Sequence, residues 1–287
     1  MRIPAGVILL FLVPALAGLA VFRVVPVAIA LVGGFFGETV RGDTVFVGLR
    51  NYANLLGDAA FWNSLKVTLV FNAILNPLQI LLAFCLAMLV LRPGFGVSAM
   101  RTAYVVPMTV AASITAVIWN ILLNPALGPV NGLLRAVGIG AQPFFTSENQ
   151  ALASFIGVAV WKGTGYWMLF LLAGLIAIPR DVYEAAAIDG ATGWRRFIWI
   201  TLPLMKRPLI FVLVADTAIN FLFFTPVYVI SNGGPNGSTS VLMFEAYQAA
   251  FVYLDHGRSL AISTIVLLIV LAIAALQFRL LKTDKEI

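Results

Sequence analysis

Residues Glu184 to Pro203 read EAAAIDGATGWRRFIWITLP. This polar, turn-containing stretch separates two long apolar runs. A polar segment of that length must sit in water or against another protein. Ala185, Ala186 and Ala187 leave a low-relief surface that a second chain can approach closely. Glu184 and Asp189 flank them, and Arg195 and Arg196 follow. Gly190 ends a first helix, because glycine takes the left-handed conformation at no steric cost. Pro179 suits the first turn of that helix, where its missing N–H costs nothing. The helix is therefore predicted over 180–189. Thr192 caps a second helix whose apolar face is Trp194, Phe197 and Ile198. Helix, glycine break and helix together form a rigid lever between two spanning segments. An ordinary amphipathic linker lying on the membrane surface is the alternative.

Composition sets the class around this segment. The chain has 287 residues, 61% of them hydrophobic and 10% charged. Its mean hydropathy is +1.01. Soluble domains have about 45–50% apolar and about 25% charged residues. The chain reads as an all-α, polytopic membrane protein, and its net charge of +6 reports topology rather than affinity for nucleic acid. Cys85 is the only cysteine and His256 the only histidine. An internal disulfide is excluded, and a metal site or a histidine-based catalytic dyad is poorly supported.

A membrane helix needs about 20 apolar residues to cross about 30 Å of hydrocarbon. Six such spans are predicted, over 6–32, 61–91, 98–124, 151–178, 207–230 and 259–281, within a single membrane domain covering 1–287. A cleaved secretory leader is the rival reading of the first. The apolar run continues past the cleavage-like Ala15-Leu16-Ala17, and Arg2 is the leader's only charge, so a retained span is expected. Pro14 and Pro26 kink or tilt this span. Pro107 and Pro226 are expected inside the third and fifth, where neighbouring helices satisfy the freed carbonyls.

Lysine and arginine give the orientation. With the N-terminus inside, the cytoplasmic set is Arg2, Arg92, Arg101, Arg180, Arg195, Arg196, Lys206, Arg207, Arg279, Lys282 and Lys285. The outer set is Arg41, Arg50, Arg135 and Arg258. Both termini and the Glu184–Pro203 segment are thus expected in the cytoplasm.

Ionisable groups inside spans are costly and face a cavity or a partner. Asp216 lies in the apolar run Phe211–Phe224, with Asn220 one turn later and Phe223 at the next helical step. A carboxylate, an amide and an aromatic ring on one stripe suit a sugar, which offers hydroxyls and apolar ring faces. A structural pair between Asp216 and Lys162 of the neighbouring span is the alternative. Lys66 is expected to snorkel toward the outer surface. Trp119 and Asn120 are read as gate lining or, more simply, as packing beside an interfacial tryptophan.

EAAAIDGA, followed after a short gap by ITLP, resembles the "EAA" signature of permease subunits of binding-protein-dependent ATP-binding-cassette importers. FVGLRNY (Phe46–Tyr52), Val160-Trp161-Lys162-Gly163, IPRDVYEA and Asn232-Gly233-Gly234-Pro235 are similar to stretches of the carbohydrate branch. The likeness extends over nearly the whole chain and points to the maltose and glycerol-phosphate type, first permease subunit. It implies the type I importer permease fold with six transmembrane helices. It also implies that Glu184, Ala185, Ala186, Asp189, Gly190 and Ala191 dock into an ATPase subunit. Substrate contacts implied by the maltose-permease likeness fall on Asp216, Asn220, Phe223, Trp161, Lys162, Gly163 and Tyr166. Asp216, Lys162 and Phe223 depart from that pattern, so the solute is left open among sugar, polyol, amino sugar, glycerol phosphate and glycerophosphodiester.

The implied partners are a second permease, an ATPase dimer, an extracytoplasmic binding protein and the lipid bilayer of a bacterial or archaeal cytoplasmic membrane. No phosphate-binding GxxxxGK[ST] loop occurs, so ATP and Mg are expected on the partner ATPase and no cofactor on this chain. By the same likeness the outer loops Phe46–Tyr52 and Ser231–Ser240 are expected to meet the binding protein. A membrane-embedded enzyme lacks a nucleophile–base constellation here. An ATP-independent secondary transporter would carry Asp216 and Lys162 but has no evident need of the Glu184–Pro203 lever.

Overall fold

The computed structural model describes residues 5–39 and 41–281; Arg2, Lys282 and Lys285, counted above as cytoplasmic, lie outside the described residues. The helices are α1 (Ala5–Leu19), α2 (Val25–Gly33), α3 (Arg50–Leu56), α4 (Ala59–Leu89), α5 (Val97–Thr109), α6 (Ala112–Leu122), α7 (Pro129–Ala136), α8 (Ala151–Ile176), α9 (Arg180–Ile188), α10 (Gly193–Arg196), α11 (Leu202–Leu204), α12 (Lys206–Asn220), α13 (Thr225–Ile230), α14 (Leu242–Phe251) and α15 (His256–Leu281). Five segments are long and apolar enough to cross a membrane: Leu10–Gly33, Ala59–Leu89, Ala151–Ile176, Lys206–Ile230 and His256–Leu280. The pair α5 and α6, bent by 101°, makes a sixth when the two are counted as one span.

Three of these segments are not the continuous helices the sequence suggests. The first loosens into a π turn at Ala20–Val24. Pro26 follows it, and a proline ring crowds the carbonyl four residues back, here that of Phe22, so the turn widens. The third breaks where Val110 (φ −76°, ψ 134°) and Ala111 (φ −57°, ψ 143°) turn extended. The fifth breaks after Asn220, and Pro226 stands in the first turn of the helix that follows. Pro226 therefore starts a helix instead of being tolerated inside one.

The contacts divide the chain into two compact units. One consists of the chain up to Trp62 together with Glu245–Leu268. It holds the only strands among the described residues, a feature absent from the all-α expectation. β1 (Phe36–Glu38) pairs antiparallel with β2 (Thr44–Phe46), with Gly37 opposite Val45. The FVGLRNY motif builds this corner. Gly48 takes φ +59° after β2. Asn51 Nδ2 then donates to the carbonyls of Gly34 (3.0 Å) and Phe36 (2.7 Å). The Tyr52 ring lies 5.4 Å from that of Phe35. Gly257 must be glycine, because a Cβ there would sit 2.3 Å from the Phe36 oxygen. Arg258 joins Asp58 to Glu245, the latter at 2.8 Å. Its guanidinium holds the Asp58 carboxyl below the usual carboxylate range.

The other unit comprises Asn63–Phe244 and the chain from Ile269 on. It has two apolar cores, both contributed to by α8. One gathers Phe71, Leu75, Phe155, Val227 and Phe244. The second gathers Phe84, Trp167, Met168, Leu171, Met205 and Val212. The α5 backbone approaches α8 so closely that a Cβ on Gly165 would lie 1.8 Å from the Tyr104 oxygen. Small residues permit such contact between membrane helices, where the gain comes from packing rather than from exclusion of water.

Candidate functional site

Two features of the second unit can carry function: an exposed elbow and a cavity among the spans. The elbow begins at α9. Pro179 is its N-cap, with extended backbone (φ −60°, ψ 141°), rather than a residue of its first turn. At the other end Gly190 has φ +75°. The Ala191 N–H donates to the Ala186 carbonyl (2.8 Å) and the Gly190 N–H to the Ala187 carbonyl (3.1 Å). This pair of bonds is the Schellman termination, and it needs a left-handed residue at the glycine position.

Glu184, Ala185, Ala187, Ile188 and Asp189 are exposed, Ile188 to 87%. Ala186 is buried. The three alanines therefore do not share one outer surface. At about 100° per residue, three consecutive positions cover too much of a helix for all to face outward. Tyr183 ties the elbow to the returning chain, its hydroxyl 3.2 Å from Thr201 Oγ1.

The second half of the elbow differs from expectation. Only α10 is regular, followed by a π turn at Phe197–Thr201 and then α11. Pro203 stands two residues beyond that π turn, as Pro26 stands beyond the first. Thr192 has the extended backbone of an N-cap, but its side chain makes no capping bond. Trp194 and Phe197 of the expected apolar face stack on each other, ring centroids 5.0 Å apart. Phe197 also packs toward Phe84 at 6.0 Å, while Trp194 is 71% exposed.

The cavity has a volume of about 310 Å³ and lies among α4, α5, α6, α8, α12 and the α12–α13 break. Asp216, Asn220, Phe223, Lys162, Gly163 and Tyr166 line it together with Gln79, Met108, Trp167 and Phe224. Trp161 is not part of this lining; its ring meets Trp119 edge-on at 5.4 Å. Asp216 is fully buried. Its Oδ1 accepts from Trp167 Nε1 (2.6 Å), Gln79 Nε2 (2.9 Å) and Asn220 Nδ2 (2.9 Å). Its Oδ2 and the Gln79 Oε1 are buried without a hydrogen-bond partner.

Lys162 does not pair with Asp216. Its ammonium donates to the carbonyls of Pro107 (3.3 Å) and Val110 and lies 3.4 Å from Thr115 Oγ1. It closes the frayed C-terminal end of α5, where carbonyls lack helical partners and the helix dipole is negative. The break in the third span and the lysine in the fourth thus explain each other.

Asp216 is also the end of a polar stripe along α4. Ser64, Thr68, Asn72, Asn76 and Gln79 are all buried. Ser64 Oγ lies 2.9 Å from Ser240 Oγ, and Thr68 Oγ1 accepts from the Leu242 N–H at 2.9 Å. Asn72 donates to the Thr68 carbonyl (2.9 Å), and Asn76 to Thr217 (3.0 Å). Asn220 donates to both Asn76 (2.8 Å) and Asp216. Gln79 and Trp167 are not among the residues expected from the sequence. Gln79 was detectable: the five polar residues recur at steps of four, four, four and three in an apolar span, which is one helical face. Nothing in the sequence separated Trp167 from its aromatic neighbours.

Residues 79–282 match the model of the family described as "binding-protein-dependent transport system inner membrane component". The chain belongs to that family. The permease is 38% identical to an sn-glycerol-3-phosphate transport system permease protein of Agrobacterium fabrum over 250 residues, 85% of each chain. It is 34% identical to a trehalose/maltose transport system permease protein of Thermococcus litoralis, covering 92% of this chain and 89% of the relative. Its fold is that of a chain in the crystal structure of a bacterial ABC transporter involved in import of the acidic polysaccharide alginate. The TM-score is 0.85 at 20% identity, over 98% of this permease and 96% of that chain. The type I permease architecture with its apolar spans is therefore the fold of this inner-membrane component.

Proposed function

We propose that this permease carries a sugar or sugar-like solute inward through the membrane as one half of an ATP-driven importer. A binding protein delivers the solute from outside. A second, different permease completes the channel. Two ATPase subunits, which hold ATP and Mg, close on the cytoplasmic side and drive the permease pair between inward- and outward-facing states. Catalysis of ATP hydrolysis belongs to those subunits, and the termini of this chain lie in the cytoplasm.

The exposed elbow of α9 carries this reading. It is an isolated short helix, rigidly ended at Gly190, with Glu184, Ala185, Ala187, Ile188 and Asp189 turned outward. An exposed Ile188 beside small and acidic residues suits a protein groove better than water. The membrane-surface linker remains the rival, and it would tolerate loss of the Gly190 turn. Solute contacts are assigned to Asp216, Asn220, Phe223, Gly163 and Tyr166 on the cavity wall, supported by their common lining of one space. Lys162 acts on that wall by holding α5.

Gly190→Val provides the test. A β-branched residue at a positive φ costs roughly 1–2 kcal/mol or shifts the turn. ATP-driven uptake into ATP-loaded right-side-out vesicles should fall at least about tenfold, while the amount of chain in the membrane stays the same. Undiminished uptake would show that the elbow transmits nothing.

A further inference from the structure

The cavity wall has acceptors without donors and a cation without free protons. Asp216 Oδ1 is saturated by three N–H groups, which fixes the carboxyl plane. Its Oδ2 is buried and unpartnered, as is Gln79 Oε1 on the same wall. The Gln79 amide cannot be turned round, because its oxygen would then face the Asp216 oxygen. Gly163 keeps the amide in place, since a Cβ there would lie 2.5 Å from Gln79 Nε2. Lys162 is the only cation lining the cavity among the described residues. An ammonium has three protons, and those of Lys162 face three acceptors on α5 and α6.

We infer that this permease selects solutes that present hydroxyl or protonated amine donors to Asp216 and Gln79, and that it discriminates against phosphorylated and other anionic solutes. Asp216 is the specificity-determining residue. The inference rests on the permease reading above and narrows its solute class. A buried acceptor left unpaired is costly, and a charged one more so. A donor on the solute removes that cost. A phosphate group adds acceptor oxygens and negative charge beside the Asp216 carboxyl, and the Lys162 ammonium has no proton left to donate to it. The permease would then differ in selectivity from its relative named for sn-glycerol-3-phosphate, despite 38% identity. Phe223 and Phe224 supply apolar faces for the ring or chain that bears the donors.

The test uses the purified complex of this chain with its partner permease and ATPase, without the binding protein, so that the cavity's own preference is read. Radiolabelled trehalose, sorbitol, glucosamine and sn-glycerol-3-phosphate are bound in turn. Trehalose or sorbitol as the tightest probe marks a neutral donor, and glucosamine as the tightest marks an amine; either ranking above sn-glycerol-3-phosphate is the expected result. In Asp216→Asn the preferred probe should bind at least about tenfold more weakly, and discrimination against sn-glycerol-3-phosphate should narrow. The inference is overturned if sn-glycerol-3-phosphate binds as tightly as the others to the unaltered complex, or if no probe binds. Unchanged affinity of an assembled Asp216→Asn complex also overturns it. If that variant does not assemble, the ranking on the unaltered complex still decides. Failure of the permease reading itself looks different: no second permease or ATPase copurifies.

Discussion

Gly157 and Gly165 lie on the same face-crossing helix, eight residues apart, in opposite surroundings. A Cβ at Gly157 meets nothing within 4 Å, whereas one at Gly165 would lie 1.8 Å from the Tyr104 carbonyl oxygen. Gly165→Ala must push α5 away from α8 and should cost about 1–3 kcal/mol or more. Gly157→Ala relieves a helix-interior glycine and should be neutral or stabilising by up to about 1 kcal/mol. Thermal unfolding of the purified complex checks both, and equal shifts would refute the close contact. Residue roles of this kind were partly legible. Gly190 could be read because helix ends demand a left-handed residue. Asp216 and Asn220 could be read because four residues make one turn. Gly163 and Gly165 looked alike in sequence, since which helix approaches which glycine is decided only by packing. Trp161 was drawn into the site by likeness, but its ring packs on Trp119.

At the level of elements, the long apolar runs were legible as spans because hydrocarbon thickness sets their length. Their breaks were not. Pro107 and Pro226 were visible, yet a proline can kink, start or sit within a helix depending on what satisfies its neighbours. The bend between α5 and α6 is satisfied by a side chain from another element, Lys162, so no local signal fixed it. Lys162→Met should leave those carbonyls unpaired and loosen the bend, at a cost of about 1–3 kcal/mol. Hydrogen exchange in residues 108–115 should rise while that of α9 stays the same. Lys162→Arg, which keeps the charge, should restore most of the protection. Equal exchange in all three proteins would remove the capping role. The hairpin of β1 and β2 also escaped the sequence, because three-residue strands leave too short an alternation to detect.

For the whole molecule, membrane class and family were accessible from composition and the EAA-type stretch, and the solute was not. Solute recognition depends on which polar atoms remain unspent after folding. A charge pair between Asp216 and Lys162 was the alternative to solute contact, but in the fold Asp216 bonds Trp167, Gln79 and Asn220 while Lys162 bonds the end of α5. The same division holds for energy transfer. This chain has no phosphate-binding loop; under the proposed function force enters from a partner, with the elbow ending at Gly190 as the entry. Site-directed crosslinking from Ala187→Cys, in a Cys85→Ser background, tests that entry most directly. Ala187 is exposed beside the Gly190 turn, and Cys85 is also exposed. Force transfer through the elbow predicts a crosslink to the ATPase subunit whose yield changes with bound nucleotide. A cysteine labelled only from outside the cell, or one touching no ATPase while ATP-driven uptake continues, would contradict it.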